Sequence, residues 1–524
     1  MIDKKSTDLI WILIVSVVIV MWSSIPTWAG YQIETPNLRF RGIYFDSQDY
    51  AVHTATMEAG RHGEWSYQFR FTTEPHNPAY IRLFYVALGH LSRWLNLSSE
   101  LTFQSARWLL GIAALLALYQ LMRQIFPDRF WARTAFMLAA LGSGLGWLQL
   151  ILSWTPGSIT PIDFWLIDDY VFFSLSVFPH FAFVTAAMCT ALCLWLDFLE
   201  NRGWKKVALL IGIAILVQLV NPIAFATIDV SLLASTLFAW WRTKKIYRKD
   251  VVALLSIAIA QLPLLVYNFM VLSTDPIWSQ FTTQNQTLSP PPVYYFFGFA
   301  LFWLLAPVGL VVSFRTKQNA LGAAVFWIIS GFVLAYAPFY IQRRFLQNIT
   351  VPLAILATTG LIKLFEIGAS QYPNMTRWRF SLVTLFLFLA SISSIELGLG
   401  QVAHLQTYPE NLYYPAPLDD AILWFREHAQ YNDFVLASEQ TSQVLAQKAG
   451  LRTYLGHEME TLNYQKKAAE VEAFFQGKMA ELASLPIEWV VYGPLERQIG
   501  LNFEVPANLD LVYDSPELQI YQVR

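Results

Sequence analysis

The chain has 524 residues, of which 14% are charged, 55% hydrophobic and 16% aromatic, and its mean hydropathy is +0.41. Soluble globular proteins carry about 25% charged residues, so this composition excludes an ordinary soluble protein, and also disorder, a coiled coil and collagen. The net charge of −2 hides an asymmetry: residues 410–524 carry 17 acidic and 8 basic groups (net −9), and residues 1–409 carry 20 acidic and 27 basic groups (net +7). This division predicts a multispanning membrane domain followed by a small water-soluble domain.

A membrane-spanning helix needs about 20 mainly apolar residues. Eleven segments fit that requirement: 9–29, 104–126, 131–153, 171–199, 205–220, 222–241, 250–272, 293–314, 319–341, 345–367 and 378–398. Basic residues cluster in connections between these segments, for example at Lys4 and Lys5, at Arg202, Lys205 and Lys206, and at Arg377 and Arg379. By the positive-inside rule these connections and the N-terminus are cytoplasmic.

Two segments decide the predicted topology. Residues 9–21 fit an uncleaved anchor or the apolar core of a signal peptide; the anchor is favoured because the run continues with tryptophans. Residues 80–95 are short and interrupted by charged groups, which indicates a juxtamembrane or partly inserted helix rather than a span. Eleven crossings then predict an integral plasma-membrane protein whose C-terminal domain is extracytoplasmic.

The first outer loop, residues 30–79, is the densest polar segment before residue 400. Within it, residues 46–60 have helical spacing and predict a short amphipathic helix on the membrane surface, with Asp46 at its N-terminal end. On spacing alone, Asp46 caps this helix. Further along, Pro75 and Pro78 predict an extended turn around His76, which suits a general acid or base, a phosphate donor or a solvated loop histidine.

Later outer loops hold further polar residues. Asp163, Asp168 and Asp169 suit a cation, although their spacing matches no standard metal loop. Residues 273–292 are polar and proline-rich, as in a mobile lid or a partner surface. Arg343 and Arg344 oppose the positive-inside bias, so they require a partner: an anionic lipid head group or phosphate, or an outer-loop aspartate.

The two cysteines, Cys189 and Cys193, lie four residues apart in one apolar run. This spacing predicts no disulfide, and without a nearby histidine it predicts no metal site. The glycines of residues 142–146 lie within a predicted span and lack a phosphate-loop lysine, so they indicate close helix packing rather than nucleotide binding.

The C-terminal segment begins with a proline-rich linker at residues 401–417, followed by a predicted α/β domain at residues 418–524. Helices at 418–429, 439–449 and 464–479 alternate with strands at 433–437, 452–456 and 488–493, and a hairpin ends the chain. This order predicts a mainly parallel sheet. His457, Glu458 and Glu460 follow a strand end, where they belong to a ligand site or to a plain surface loop.

Residues 1–400 resemble the GT-C fold glycosyltransferases, in particular the aminoarabinose transferases and protein O-mannosyltransferases that use polyprenyl-phosphate sugars. The features that carry the resemblance are Asp46, Tyr50-Ala51, Met57, Gly60, Gly63-Glu64-Trp65, Glu74-Pro75-His76 and Arg344-Phe345. The family often has two consecutive prolines where this chain has Pro75 and Pro78. The resemblance implies that Asp46 is the catalytic carboxylate and Asp49 the reserve candidate. Substrate-binding roles are expected for Glu74, His76, Arg82, His180, Arg343 and Arg344.

Glycosyl transfer from a lipid phosphate needs a carboxylate to deprotonate the acceptor hydroxyl and cations to stabilise the leaving phosphate. The outer carboxylates and arginines supply these groups. The predicted partners are a polyprenyl-phosphate sugar donor, an extracytoplasmic acceptor (glycan, lipid or protein) and membrane lipids, with no nucleic acid. No metal ligands are assigned, and a divalent cation is left open as a cofactor.

Two alternatives compete with a cell-envelope glycosyltransferase. A transporter or flippase of a lipid-linked glycan is expected to show internal repeats and ionisable residues inside its spans. The sequence has no clear repeat and its acids cluster in loops, which favours the enzyme. A non-catalytic envelope-assembly scaffold would keep its activity when Asp46 is replaced.

Overall fold

The computed structural model describes residues 4–154, 160–316, 318–372, 374–478, 485–501 and 503–524. The chain forms two compact units. Unit 1 comprises residues 1–25, 106–266 and 287–401, and unit 2 comprises residues 26–105, 267–286 and 402–524. Each unit is assembled from three separate stretches of sequence, and each is described below by itself.

The chain is mostly helical. The helices up to residue 243 are α1 Lys4–Ser23, α2 Ile25–Gln32, α3 Ser47–Arg61, α4 Leu83–Leu95, α5 Ser99–Ile125, α6 Arg129–Leu141, α7 Gly146–Ile151, α8 Val171–Val177, α9 Pro179–Asn201, α10 Trp204–Val220 and α11 Ala224–Thr243. Those that follow are α12 Arg248–Thr274, α13 Pro276–Gln284, α14 Pro292–Gly298, α15 Ala300–Trp303, α16 Ala306–Thr316, α17 Asn319–Leu334, α18 Thr350–Gln371, α19 Met375–Ala390, α20 Ile392–Leu405, α21 Leu418–His428, α22 Glu439–Ala449, α23 Tyr464–Phe475 and α24 Pro494–Ile499. Short 3₁₀ helices occupy Ile162–Phe164 and Gln342–Leu346.

Within the described ranges, five helices are long and apolar enough to cross a membrane: α5, α9, α11, α12 and α18. Two bent pairs, α1 with α2 and α19 with α20, raise the number to seven if each pair is one span. Several predicted spans are interrupted; Pro179 begins α9 and separates it from α8, and the segment 131–153 divides at Gly142. The structure is that of a chain with several membrane-spanning helices, and the number eleven stays a prediction.

The break between α6 and α7 in unit 1 is stabilised by a buried carboxylate. Oδ2 of Asp163 accepts hydrogen bonds from the backbone N–H of Gly144 at 3.3 Å, from that of Gly146 at 3.0 Å and from the Ser393 hydroxyl at 2.6 Å. A Cβ at Gly144 would collide with the carbonyl group of Gly298, so this glycine permits close packing, as expected. Asp163 therefore has a structural role in joining these segments.

Helix α3 is the centre of unit 2, and its bounds agree with the predicted helix. The prediction of an amphipathic helix on the membrane surface is wrong in one respect. Most of α3 is buried, including every residue from Thr54 to Gly60. The helix packs against α4 and α22, and its small residues Ala51 and Ala55 form an apolar cluster with Phe71 and Ala446. A helix enclosed on several sides does not need a polar face, and its position is fixed by packing.

The C-terminal part of unit 2 contains a five-stranded mixed sheet. Its strands are β3 Phe434–Leu436, β4 Arg452–Thr453, β5 Trp489–Tyr492, β6 Leu509–Asp514 and β7 Gln519–Val523, in the order β4-β3-β5-β7-β6. The pairs of β3 with β4 and β5 are parallel, and those of β7 with β5 and β6 are antiparallel. Alternate strand residues pack on opposite faces: Val435 and Val491 contact α21 and α22 residues, whereas Leu436 and Val490 contact those of α23.

A second, two-stranded sheet joins residues 30–79 to the predicted linker. Strand β1, Leu38–Phe40, pairs antiparallel with β2, Tyr413–Pro415, so that Arg39 lies opposite Tyr414. Arg39 also forms an ion pair with Asp419 at 3.0 Å. Residues 401–417 are therefore partly regular structure, and they hold the N-terminal part of unit 2 to its C-terminal part.

Replacing Gly60 by alanine is expected to destabilise unit 2. Helices α3 and α4 approach so closely that a Cβ at Gly60 would collide with the carbonyl oxygen of Val86 and lie 3.0 Å from Cα of Gly89. Backbone atoms cannot rotate away, and such overpacking typically costs about 1–3 kcal/mol. We expect Gly60→Ala to lower the thermal unfolding midpoint of the purified protein in detergent.

The matched control is Gly212→Ala in α10, because nothing lies within 4 Å of a Cβ built there. It should unfold at the wild-type temperature or above, since alanine favours a helix by up to about 1 kcal/mol. An unchanged midpoint for Gly60→Ala would show that α3 and α4 can move apart without loss of stability.

Candidate functional site

Asp46 is the N-cap residue of α3 and has an unusual backbone conformation. Its φ of 53° and ψ of 59° lie in the left-handed region, and its side chain accepts a hydrogen bond from the backbone N–H of Asp49 at 3.2 Å. Aspartate is among the few residues that tolerate this region. The predicted capping role is therefore confirmed. The N-terminus of α3 also stabilises negative charge, so two carboxylates share one helix end.

Asp49 is joined to His457 from the C-terminal segment. Oδ1 of Asp49 lies 3.2 Å from Nε2 of His457, and Nδ1 accepts from the backbone N–H groups of Met459 at 3.0 Å and Glu460 at 3.2 Å. Because Nδ1 is an acceptor, the proton is assigned to Nε2, which donates a hydrogen bond to Asp49.

The charge state of His457 follows from this geometry. Burial acts to lower the pKa of His457, but the hydrogen bond to Asp49 and the charges of Asp49 and Glu460 outweigh burial and raise it. A second proton on Nδ1 would face two N–H donors, however, so the neutral imidazole fits the contacts best. His457 acts here as an oriented hydrogen-bond donor that holds the Asp49 carboxylate.

Glu460, only 1% exposed, forms an ion pair and a hydrogen bond with two groups from the first part of the chain. Oε1 lies 2.6 Å from Nη2 of Arg82, and Oε2 accepts from the Tyr67 hydroxyl at 2.7 Å. The Arg82 guanidinium also lies 5.0 Å from the Tyr67 ring centre. Burial acts to lower the pKa of Arg82, but the Glu460 charge outweighs it and the pKa is raised.

Glu74 and His76 fix the turn before α4. Glu74 accepts hydrogen bonds from Thr72 and from Lys467, whose Nζ lies 2.7 Å away. Burial acts to raise the pKa of Glu74, but these hydrogen bonds outweigh it and the pKa is lowered; burial lowers the pKa of Lys467 despite the same ion pair. Nδ1 of His76 donates to the carbonyl of Glu74 at 2.8 Å and Nε2 accepts from the N–H of Phe69 at 3.0 Å, so both ring nitrogens bind backbone.

Unit 1 contains the remaining predicted residues. His180 is buried at the start of α9 with its ring 4.1 Å from that of Phe181, and the Arg343 guanidinium lies 5.0 Å from the Trp165 ring centre. Burial and then the charge of Asp168 raise the pKa of Asp169 well above its usual range, whereas Arg343 opposes this shift. Burial and Arg344 lower the pKa of Arg343.

Five predicted residues thus belong to unit 2 (Asp46, Asp49, Glu74, His76 and Arg82) and three to unit 1 (His180, Arg343 and Arg344). In the described ranges Arg343 and Arg344 form no ion pair, unlike Arg133 and Arg202 of the same unit, and no group of three His, Cys, Asp or Glu residues has the arrangement of a metal site. Both cysteines are unpaired and buried. Sequence reasoning missed Tyr67 and Lys467, because no local pattern around either residue indicates its distant partner, Glu460 for Tyr67 and Glu74 for Lys467.

Removing the buried carboxylate of Glu460 should destabilise unit 2 strongly. Breaking a buried ion pair by deleting one partner costs about 3–5 kcal/mol, because the other charge stays buried. We expect Glu460→Ala to lower the thermal unfolding midpoint of the full chain in detergent, and Tyr67→Phe to lower it less. Asp510→Ala, which removes an exposed ion pair with Arg524, is the control and should leave the midpoint unchanged. Equal midpoints for the Glu460 and Asp510 variants would contradict the assigned role of Glu460.

Comparison with solved structures identifies the fold. The archaeal oligosaccharyltransferase AglB from Archaeoglobus fulgidus, in complex with an inhibitory peptide and a dolichol-phosphate, matches with a TM-score of 0.53 and 13% identity over 95% of this chain and 70% of that chain. ArnT from Cupriavidus metallidurans, bound to undecaprenyl phosphate, matches with a TM-score of 0.51 and 13% identity over 98% of this chain and 97% of that chain.

The arabinofuranosyltransferase AftD from Mycobacteria matches with a TM-score of 0.53 and 12% identity over 96% of this chain and 40% of that chain. No family model and no curated protein sequence matches the chain. All three structures are GT-C fold glycosyltransferases. The predicted resemblance is therefore confirmed as a likeness of fold: the chain has the GT-C fold.

Proposed function

We propose that the protein is a membrane glycosyltransferase that moves a sugar from a polyprenyl phosphate to an extracytoplasmic acceptor, with Asp46 as the general base. The observation that carries the proposal is the position of Asp46, held in the left-handed conformation at the start of a buried helix. Residues held in sparsely populated backbone conformations cluster at functional sites. The GT-C fold supports the reaction class, since two of the similar structures hold a polyprenyl-type phosphate.

The proposed step is a substitution at the anomeric carbon of the donor sugar. The acceptor oxygen forms a bond to that carbon while the bond to the phosphate oxygen breaks, and the phosphate leaves with the electron pair. Asp46 takes the proton of the acceptor hydroxyl. Asp49 is the second candidate for this role, and its hydrogen bond from His457 gives it a fixed orientation.

Cationic groups stabilise the leaving phosphate in this proposal. Arg343 and Arg344 are the candidates, because among the described residues neither is used in an ion pair, and His180 is the candidate for a further contact. Glu74, His76 and Arg82 are bound to protein groups and are proposed to order the loop that carries Asp46. A divalent cation remains an open cofactor.

The proposed topology has eleven crossings, a cytoplasmic N-terminus and an extracytoplasmic C-terminal domain at residues 418–524, preceded by the linker 401–417. Its support is the order of basic connections along the chain and the presence of several apolar helices. This arrangement leaves the first loop, residues 30–79, and the acidic C-terminal segment on the same side of the membrane. Their shared membership of unit 2 agrees with that requirement.

A flippase of a lipid-linked glycan is the second candidate, and one observation favours it. Asp229 lies in α11, a candidate span, and Oδ2 accepts a hydrogen bond from Gln261 of α12 at 2.8 Å. A carboxylate within a membrane helix is by default a candidate for transport. A scaffold without catalysis is the third alternative.

Asp46→Asn tests the proposed base. Asparagine also caps helices and tolerates the left-handed region, so the variant removes the charge while preserving the helix end. We expect turnover to fall by about 10²- to 10⁴-fold, the usual contribution of a general base. Mass spectrometry of lipids co-purified in mild detergent should then show a glycosylated polyprenyl phosphate that is enriched in the variant over the wild type.

Asp128→Asn is the matched control, since Asp128 caps α6 by accepting from the Trp131 N–H at 3.1 Å. It should leave the lipid profile unchanged. The proposal of a glycosyltransferase would be refuted if only bulk phospholipid co-purified with both the wild type and Asp46→Asn and the cell-surface glycans were unchanged. Loss of surface glycans in Asp229→Asn but not in Asp46→Asn would support the flippase instead.

A further inference from the structure

A polar cavity of about 410 Å³ opens at the N-terminal end of α3, entirely within unit 2. Ser47 and Gln48, the first two residues of α3, form one side of it. Arg41 lines it from the preceding segment, and Glu439, Gln440 and Gln443 of α22 line it from the C-terminal segment. This volume is in the range of small-molecule binding sites, about 300–1,000 Å³.

Arg41 is the least expected group in this cavity. Its side chain is only 2% exposed, and Nη1 donates to the carbonyl of Asn411 at 3.3 Å. In the described part of the chain, Nε and Nη2 have no hydrogen-bond partner. Burial lowers the pKa of Arg41 to about 10, so the guanidinium stays charged at neutral pH. A buried cation with two unused donors is costly unless a ligand satisfies it.

The other side chains provide hydrogen-bond acceptors. Oε1 of Gln440 and Oε1 of Gln443 are buried without a partner among the described residues. Glu439 is already engaged, because it accepts from Gln48 at 2.8 Å, from Gln443 at 3.2 Å and from the Tyr464 hydroxyl. The cavity therefore combines a fixed cation, a fixed carboxylate and free amide oxygens.

We propose that this cavity binds an uncharged sugar through its hydroxyl groups. A hydroxyl both donates and accepts, so neighbouring hydroxyls of one ring satisfy the donors of Arg41 and the acceptors of Gln440 and Gln443 together. An anion would face Glu439 and, at the rim, Glu410. An apolar ligand would leave the same buried polar atoms unsatisfied. The mixture of donors and acceptors is what selects a polyhydroxylated ligand.

The role of this sugar as the acceptor of transfer rests on the proposed function. Asp46 is the N-cap of α3 and directly precedes Ser47, which lines the cavity, so the candidate base is bonded to a residue of the cavity wall. The acceptor class is then a neutral glycan, and not a protein or a lipid. Binding itself depends only on the cavity and can be measured without turnover.

The test is binding of the full chain, in lipid nanodiscs, to immobilised neutral hexose and pentose oligosaccharides and to their uronic-acid and phosphorylated counterparts. We expect the wild type to retain at least one neutral oligosaccharide. Arg41→Lys keeps the charge but loses the forked donors, and Gln440→Leu removes a free acceptor; each should weaken retention at least tenfold. Because Gln440 is only half-buried, we expect Gln440→Leu to fold. A loss of binding in this variant therefore tests the cavity even if Arg41→Lys misfolds.

Arg70→Lys is the control for burial, because Arg70 is equally enclosed in unit 2 but uses its terminal nitrogens on Tyr431 and Asn432. It should bind sugar as the wild type does. The proposal is overturned if the wild type retains no neutral oligosaccharide or retains only acidic ones. It is also overturned if Arg41→Lys and Gln440→Leu retain neutral oligosaccharides as well as the wild type does. Asp46→Asn separates the two proposals. If this variant binds sugar fully and its turnover is unchanged, Asp46 is not the general base, but the cavity still binds sugar.

Discussion

The geometry of unit 2 depends on the neutralisation of one buried carboxylate, that of Glu460. A charge removed from water is tolerated only when it is paired and hydrogen-bonded, and Arg82 and Tyr67 meet both needs. Arg82 is the N-cap residue that directly precedes α4, and Tyr67 pairs through its backbone with Ala79 just before that helix. The contacts of Glu460 therefore hold the segment that leads into α4.

The segment 457–460, which ends at Glu460, also orients α3, the helix that Asp46 caps. The backbone N–H of Glu460 donates to His457, whose other ring nitrogen donates to Asp49 in the first turn of α3. Helix α3 is in turn held against α4 by the contact of Gly60 with Val86 and Gly89. These contacts connect Asp46, Asp49 and Glu460 in one network, which gives the C-terminal segment a direct physical influence on the position of the carboxylates.

Local patterns allowed much of this to be predicted, and contacts between distant residues account for what was missed. The bounds of α3, the cap at Asp46 and the C-terminal strands follow from residue spacing and capping preferences, which act over a few residues. Asp49 and Tyr67, which bind His457 and Glu460, lie about 400 residues earlier in the chain, and no periodicity indicates such pairs. The burial of α3 was missed for the same reason: enclosure by α4 and α22 replaces the polar face that an isolated helix would need. The membrane helices interrupted at Gly142 and Pro179 were read as continuous because hydropathy does not resolve short breaks.

The long separation between paired residues has a consequence for biosynthesis. Tyr67 and Glu460 are 393 residues apart, and β1 likewise pairs with β2, which is synthesised long after it. At about 5–20 residues per second, the segment that holds Tyr67 waits roughly 20–80 s for its partners. During that interval Arg82 and Tyr67 lack the carboxylate that they enclose in the finished protein. The nascent segment thus stays incomplete while the intervening helices are synthesised, and unit 2 can assemble fully only after Glu460 has been made.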